Sequence, residues 1–254
     1  MPIFAAPGYR LYYEWGNGFD PSRPTAVLLH DGLGAVGSWR GLPARLSENL
    51  NINTLVYDRF GYGRSQARTA FPDRFMEGEV PVLPGLLDHL GLDQDRVHLV
   101  GHSDGGSIAL LFAGRYPDRV GAVVTEAAHV FVEEKTQAGI RDLVTLQSQG
   151  RTPGWLHKLH GERAESLLTL WSERWLTDLH AGWDIRSHLP AVRAPVLAVQ
   201  GEEDEFGTQA QVDSILQGVA GSSSWIAPQC GHTPHAQAED AFLEKVSVFL
   251  QAHL

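Results

Sequence analysis

The sequence predicts an α/β fold built on a mostly parallel, doubly wound sheet. Short apolar segments of strand length alternate with longer segments in which apolar residues recur at helical spacing. Such alternation is typical of parallel sheets with right-handed crossovers and helices on both faces. A length of 254 residues suits one domain of this kind with room for an insertion. Ligands of these sheets bind at the carboxyl ends of the strands, so functional residues are expected in the loops that follow the strands.

The composition favours a small-molecule partner. Hydrophobic residues make up 43% of the chain and charged residues 20%, and the net charge of -10 disfavours nucleic acid or an anionic membrane. The N-terminal residues MPIFAAPGYR lack a basic start followed by a long apolar core, and no apolar run approaches about 18 residues. Cys230 is the single cysteine, which excludes an internal disulfide and a cysteine-based zinc cluster. We therefore expect a cytoplasmic monomer or homodimer.

The first elements form scaffold and one glycine-containing loop. Residues 9–14 alternate in polarity before Gly16-Asn17-Gly18, which predicts an antiparallel edge hairpin turning at those glycines. Residues 25–29 (TAVLL) then form a fully buried strand. The strand runs into residues 30–34 (HDGLG), whose glycines allow backbone N–H groups to approach a ligand. This loop is a candidate source of an oxyanion donor.

Further strands and helices follow in alternation up to residue 90. Residues 58–65 (DRFGYGRS) predict a tight loop, in which Arg59 and Arg64 are expected to brace neighbouring loops rather than bind an anion. The other elements predicted here are a helix at 38–48, a strand at 52–57 and a helix at 79–90 with Pro81 in its first turn.

Residues 96–116 (RVHLVGHSDGGSIALLFAGRY) place one serine at a sharp bend. A short apolar strand precedes the bend, and apolar residues at helical spacing follow it. Gly101-His102-Ser103-Asp104-Gly105 matches G-x-S-x-G, the turn in which a strained serine is flanked by small residues that let the backbone pass close. The hydroxyl stands free for a histidine to deprotonate, and the helix start offers unpaired N–H groups to an oxyanion. Ser103 is therefore the predicted nucleophile.

LLHDGLG, VYDRFGYGRS and LVGHSDGG, in that order, resemble the α/β-hydrolase superfamily, and the resemblance extends over essentially the whole chain. It implies an oxyanion hole formed by the N–H of Asp104 and that of Gly32 or Leu33. Regular alternation stops after a strand at 120–125 and resumes with a strand at 195–199. The resemblance implies that this interval is a helical cap at 129–191, inserted into a core of 1–128 and 192–254.

The cap segment is rich in leucine and tryptophan, which predicts that at least one tryptophan lines a pocket. His157 and His160 lie three residues apart on one helix face, but no third ligand lies nearby, so no metal is expected. The pocket candidates around the strand ends and in the cap are Asp31, His102, His129, Trp155, Trp171 and Trp175.

The penultimate strand ends in residues 200–205 (QGEEDE), whose consecutive acids would repel one another unless one has a partner. By resemblance to the family's Gly-x-x-Asp at this strand end, Asp204 is the acid that orients a histidine. Glu203 and Glu205 are neighbouring alternatives, and Glu126, which follows an earlier strand, is another candidate for this acid.

Residues 230–235 (CGHTPH) lie between a short strand at 225–227 and a helix at 236–250. His232, directly after a glycine, matches the family's base, and His235 is expected to stabilise the loop. Cys230 is expected to be a small buried residue rather than a nucleophile.

The resulting hypothesis is a serine hydrolase that cleaves a small, hydrophobic ester or lactone through an acyl-enzyme, with neither metal nor organic cofactor. Asp31 stands where the family usually has glycine, and Asp104 where an apolar residue is common. Either acid is expected to disfavour anionic substrates. Three alternatives stay open: carbon–carbon bond hydrolysis of vinylogous diketones, cofactor-free oxygenase or perhydrolase chemistry, and a non-catalytic ligand receptor on the same fold.

Overall fold

A computed structural model describes residues 2–6, 8–93 and 95–254, and within these ranges an eight-stranded sheet runs through the molecule. The central strands are mostly apolar and are buried at every position because helices cover both faces of the sheet. The strands are β1 (Ile3–Ala6), β2 (Tyr9–Trp15), β3 (Thr25–Leu29), β4 (Asn53–Tyr57), β5 (Val97–His102), β6 (Val120–Glu126), β7 (Val196–Gly201) and β8 (Ser223–Ala227).

The sheet order is β1-β2-β4-β3-β5-β6-β7-β8. All neighbours from β4 to β8 pair in parallel, and β2 pairs antiparallel with both β1 and β4. The predicted fold class, a mostly parallel doubly wound α/β sheet, is confirmed. The carboxyl ends of β3, β5, β6 and β7 therefore meet along one edge, where the candidate loops lie.

The predicted position of the hairpin turn, at Gly16-Asn17-Gly18, is wrong. The strand partner of β2 within the hairpin is β1, which precedes it and joins it through a turn that includes Gly8 at φ 92°. At its other end β2 continues along β4, and the Gly16 N–H donates to the Thr54 carbonyl at 2.9 Å. The chain bends after Trp15, but the next strand, β3, lies beyond β4 in the sheet and forms no hairpin with β2.

Alternation within β3 divides the core into two layers. Val27 and Leu29 belong to the larger apolar cluster on one face, whereas Ala26 and Leu28 belong to the cluster on the other face. The α-helices in the described ranges are α1 (Leu42–Leu50), α2 (Phe75–Glu79), α3 (Val82–His89), α4 (Asp104–Arg115), α5 (Glu134–Ser148), α6 (Gly154–His160), α7 (Ala164–Trp175), α8 (Asp178–Ala181), α9 (Gln209–Gly218), α10 (Pro234–Gln237) and α11 (Glu239–Gln251).

Three predicted helices are each divided in the structure. A 3-10 turn at Val36–Trp39 ends at Arg40, whose φ of 50° interrupts the helix before α1 begins. Pro81 lacks an N–H and separates α2 from α3 as the N-cap of the latter. Ala238, with extended φ of -134°, separates α10 from α11. The apolar spacing indicated helix correctly in each case, but it does not record where the backbone bends.

The interval between β6 and β7 contains α5, α6, α7 and α8, all within the predicted cap segment 129–191. Its two ends lie side by side: the Ile185 N–H donates to the Val130 carbonyl at 2.8 Å, and Phe131 bridges to Asp184. A segment whose ends meet in this way can be inserted between neighbouring strands without disturbing their pairing. Among the helices in the described ranges, none combines the length and apolar character needed to cross a membrane.

Candidate active site

Ser103 occupies the sharp turn between β5 and α4. Its φ of 52° and ψ of -119° are unusual for a residue with a side chain. A Cβ at Gly101 would lie 2.3 Å from the Gly105 carbonyl oxygen, and one at Gly105 would lie 2.0 Å from the Leu29 carbonyl oxygen. Glycine at both positions therefore lets the first turn of α4 pack directly on the ends of β5 and β3, which leaves the serine at the apex.

The structure brings Ser103, His232 and Asp204 together from three separate loops. The Ser103 Oγ lies 3.0 Å from the His232 Nε2, and the His232 Nδ1 lies 2.9 Å from the Asp204 Oδ1. Asp204 is 1% exposed and Ser103 6% exposed, so water is largely excluded from this chain of hydrogen bonds. The arrangement can move a proton from the hydroxyl to an imidazole whose orientation is fixed by a carboxylate.

Asp204 differs from its acidic neighbours because it alone is buried and multiply bonded. Its Oδ2 accepts from the Gln200 Nε2 at 2.5 Å, and its Oδ1 accepts from the Phe206 N–H at 2.8 Å. Burial by itself would raise the pKa of Asp204, but the nearby His232 and these donors hold that pKa below its ordinary value. An ionised carboxylate is thus maintained beside the imidazole.

The alternative acids point elsewhere. Glu203 is exposed. Glu205 accepts a hydrogen bond from the backbone N–H of His232 at 3.0 Å, so it contacts the main chain of His232 rather than the imidazole ring. Glu126 is buried and bonds His235, through both the backbone N–H at 2.7 Å and the Nδ1 at 2.8 Å. Asp204 is therefore the acid that contacts the His232 ring.

Two backbone N–H groups are candidates for an oxyanion hole. Asp104 is the first residue of α4, so its N–H has no acceptor within the helix. The Asp31 carbonyl accepts from the His30 Nδ1 at 2.8 Å and from the Arg59 Nη2 at 2.7 Å. Because carbonyl and N–H point in opposite directions across a trans peptide, this pair of bonds fixes the Gly32 N–H on the other side.

Leu33 is the weaker of the two candidates in this loop. Its N–H is directed at the Asp31 carboxylate, 3.4 Å away, and its carbonyl accepts from the His160 Nε2 at 2.7 Å. Gly32 instead lies directly under the cap, since a Cβ there would be 2.5 Å from the Trp171 Nε1. Gly32 is accordingly the better second donor.

The Asp104 side chain is buried beneath Trp171, next to the candidate oxyanion donors. It is 1% exposed, its Oδ2 accepts from the Trp171 Nε1 at 3.3 Å, and the same oxygen lies 3.7 Å from the Arg59 Nη2. Burial raises the pKa of Asp104 to about 6, although Arg59 and Trp171 both act to lower it. An ionisable carboxyl therefore adjoins the candidate nucleophile at some cost in stability.

Aromatic side chains of the cap extend toward the base. Trp171 contacts Trp175 at 5.9 Å between ring centroids, Trp175 contacts His129 at 5.5 Å, and His129 stacks on His232 at 6.0 Å. Phe206 also contacts the His232 ring, with 4.7 Å between the two centroids. Burial lowers the pKa of His129 to about 3, so its ring is neutral at physiological pH. These rings give the site an apolar wall.

Two predicted pocket residues lie elsewhere. Trp155 is 45% exposed, because α6 turns Leu156 and His160 inward and leaves the tryptophan on the outside. His102 is 2% exposed and lies beneath the base loop, residues 230–235, where its Nε2 bonds the His232 carbonyl at 2.8 Å. Asp31 remains at the site, with its side chain 20% exposed.

The two histidines of α6 do not converge on a common point. His160 uses both ring nitrogens, accepting from the Gly63 N–H at 3.0 Å and donating to the Leu33 carbonyl. His157 is half exposed and faces Glu165 at 3.4 Å. The sequence had not assigned a role to His160, which joins the cap to two loops of the core. The roles of His30 and Gln200 were missed as well, and so was the pairing of Glu126 with His235, whose expected role in stabilising the loop did not name a partner.

Comparison with known proteins places the chain in a family. A model of the alpha/beta hydrolase fold matches residues 25–186. The serine hydrolase BPHL of Mus musculus is 33% identical over 237 residues, covering 89% of this chain and 79% of the mouse protein. A 2-hydroxy-6-oxononadienedioate/2-hydroxy-6-oxononatrienedioate hydrolase of Paraburkholderia phymatum is 28% identical over 272 residues, covering 95% of this chain and 91% of that protein.

The solved structure of 2-hydroxy-6-oxo-6-phenylhexa-2,4-dienoate hydrolase from Rhodococcus sp. strain RHA1 is similar with a TM-score of 0.82. Its sequence is 18% identical, with 96% of this chain and 95% of that chain covered, so this likeness concerns the fold. The chain belongs to the α/β-hydrolase family of enzymes. The resemblance stated from its motifs is thereby confirmed.

Asp204→Asn should lower kcat by up to about 10⁴ while the fold is retained, because an amide no longer holds the histidine in the required tautomer. Steady-state hydrolysis of a p-nitrophenyl ester measures the effect. Glu203→Gln, an exposed change one residue away, is the control and should leave kcat unchanged. Wild-type rates in Asp204→Asn together with a loss in Glu126→Gln would move the acid to Glu126.

Asp104→Asn should stabilise the protein at high pH. The folded-state pKa of Asp104, about 6, lies above the ordinary value of 3.8, so the folded state loses stability as pH rises through this interval. The loss at pH 8 is up to about 3 kcal/mol, and it is absent below about pH 4. Urea unfolding at about pH 4.5 and pH 8 should show a gain for the variant mainly at the higher pH.

The exposed Asp213→Asn is the matched control and should change stability equally little at both pH values. A gain for Asp104→Asn that does not depend on pH would show that its carboxyl is not destabilised by burial.

Proposed function

We propose that this protein is a serine hydrolase that cleaves a small, hydrophobic carboxylic ester or lactone through an acyl-enzyme intermediate. The observation that carries the proposal is the continuous hydrogen-bonded series from Ser103 through His232 to Asp204. It lies at the carboxyl ends of the parallel strands, where ligands of such sheets bind. Candidates for all three roles, nucleophile, base and acid, are present in one hydrogen-bonded series, which argues against a receptor that only binds its ligand.

In the proposed reaction, His232 takes the Ser103 proton as the alkoxide attacks the substrate carbonyl. The N–H groups of Asp104 and Gly32 then stabilise the oxyanion, and Asp204 offsets the charge of the imidazolium. His232 returns the proton to the leaving alcohol. A water deprotonated by the same histidine hydrolyses the acyl-enzyme, so this chain and water supply every group that the steps need.

The surroundings of Ser103 support an apolar, uncharged acyl group. Trp171, Trp175 and Phe206 offer rings near the base and the oxyanion donors. Asp31 and Asp104 place two carboxyl groups nearby, and these disfavour an anionic substrate. A small-molecule acyl compound is accordingly the proposed partner.

Carbon–carbon bond hydrolysis is a second candidate, supported by the Paraburkholderia relative, whose name specifies a dioate substrate. A dioate carries two carboxylates and calls for cationic partners. Arg59 is a cation beside the nucleophile, but it is fully buried, and its Nη2 already contacts the Asp31 carbonyl and the Asp104 carboxyl. This arrangement favours the ester or lactone over a dianionic substrate.

A fluorophosphonate should attach covalently to Ser103, and Ser103→Ala should abolish both labelling and ester turnover. The reason is that only this hydroxyl is bonded to the candidate base. Intact-mass measurement after labelling decides the outcome. Cys230→Ala serves as a control and should label like the wild type. Stoichiometric labelling that persists in Ser103→Ala, at Cys230 or at Ser65, would identify a different nucleophile.

Esters of one alcohol should be hydrolysed faster as the acyl chain lengthens from acetate toward hexanoate. Each buried methylene contributes about 0.8 kcal/mol, close to fourfold in kcat/KM, until the pocket is full. Trp171→Ala should move the optimum to longer chains because it opens volume above Gly32. Trp155→Ala is the matched control, since this indole is exposed. A flat profile, or a preference for succinate monoesters, would contradict the apolar pocket.

A further inference from the structure

A second group of buried polar residues lies beneath the candidate active site. It consists of His102 at the end of β5, Glu126 at the end of β6, and His235 in the base loop, whose potential ligand atoms lie within 4.8 Å of one another. The sheet register places His102 directly beside Glu126. Both Glu126 oxygens already accept hydrogen bonds from His235, so the group is an internal network in which protein atoms satisfy one another.

Both ring nitrogens of His102 face oxygen acceptors. The Nε2 lies 2.8 Å from the His232 carbonyl oxygen, and the Nδ1 lies 3.8 Å from the Asp31 Oδ1. A carbonyl and a carboxylate both accept protons, so this environment favours an imidazole protonated at both positions. Glu126 and Asp31 raise the pKa of His102 to about 9, although burial opposes them.

His102 thereby connects the two loops that any reaction at Ser103 depends on. One of its nitrogens contacts the base loop at the His232 carbonyl, and the other faces Asp31 in the loop that contains Gly32. The main chain of His232 is then held on both sides, because its N–H donates to Glu205 at 3.0 Å. The ring of His102 also lies 5.1 Å from that of His232, measured between centroids.

We propose that His102 is a positioning residue: its buried ring lies between the His232 carbonyl and the Asp31 carboxylate and fixes the His232 main chain relative to the oxyanion loop, residues 30–34. The hydrogen bond to the carbonyl supplies this restraint, and a positive charge on the His102 ring opposes a second positive charge on the neighbouring imidazole. This inference rests on the proposed function, since it assigns His102 a role in the same site.

The charged and titratable groups that face His102 come from several elements. They are Asp31 in the oxyanion loop, Glu126 at the end of β6, His129 at the start of the cap, and His232 and His235 in the base loop. An uncharged residue in place of His102 would remove a positive charge and leave the Asp31 and Glu126 carboxylates where they are. The lost positive charge and the remaining negative charges both favour a positive charge on the neighbouring imidazole, so they act in the same direction.

The test measures the rate at which an uncharged fluorophosphonate labels Ser103 between about pH 5 and pH 9. His102→Gln keeps an N–H donor for the His232 carbonyl but removes the charge. The acidic limb of the pH–rate profile of His102→Gln should move to higher pH by between about 0.6 and about 2.4 pH units. This range is the effect of a unit charge about 5 Å away at effective dielectric constants of about 80 and about 20. The rate of this variant on the high-pH plateau should stay within about threefold of the wild type.

His102→Leu removes both the donor and the charge, and its plateau rate should fall at least about tenfold because the base is no longer held in place. Urea unfolding verifies that this variant is folded, and if it is not, the His102→Gln profile decides alone. His98→Gln is the matched control, since His98 is another buried histidine on β5 whose Nδ1 contacts no acceptor. It should leave the profile unchanged.

A His102→Gln profile that superimposes on the wild type would overturn the proposal, as would an equal shift in His98→Gln or an unchanged plateau in a folded His102→Leu. These results differ from a failure of the proposed function, in which the wild-type protein itself would not be labelled at Ser103.

Discussion

The close approach of α4 to the ends of β3 and β5 is the constraint on which the rest of the site depends. A helix that begins one residue after a strand leaves no room for side chains at Gly101 and Gly105, and it forces Ser103 into a strained conformation. The same geometry exposes the first N–H of α4 and presents the hydroxyl at the apex. One steric requirement thus produces both the candidate nucleophile and a candidate oxyanion donor.

Burial of polar groups around this turn requires compensation, and the structure provides it through both neighbouring and distant residues of the chain. His30 and Arg59 satisfy the Asp31 carbonyl, Gln200 satisfies Asp204, and Glu126 satisfies His235. An unpaired polar group at any of these positions would cost stability. The Asp104 carboxyl, in contrast, is only partly compensated by Arg59 and Trp171. Such residual cost is typical of functional sites.

Contacts between the segment 129–191 and the loops at the strand ends bury the candidate site. His160 bonds the two core loops at Gly63 and Leu33, and Trp171 covers Gly32 and contacts Asp104. In a site with little water, hydrogen bonds and charges act more strongly than at the surface. The charge of a buried histidine such as His102 is therefore felt at the neighbouring ring.

The sequence by itself determined the fold class, the alternation of strands and helices in the core and the turn at Ser103, because apolar periodicity and turn chemistry act over a few residues. Asp204 and His232 followed from the resemblance of their loops to the α/β-hydrolase superfamily. Only the tertiary structure decided that Gly32 rather than Leu33 is the better donor, that Trp155 faces solvent and that His102 lies beneath the base loop. Each depends on contacts between segments far apart in the chain, and local pattern does not record which face of an element meets them.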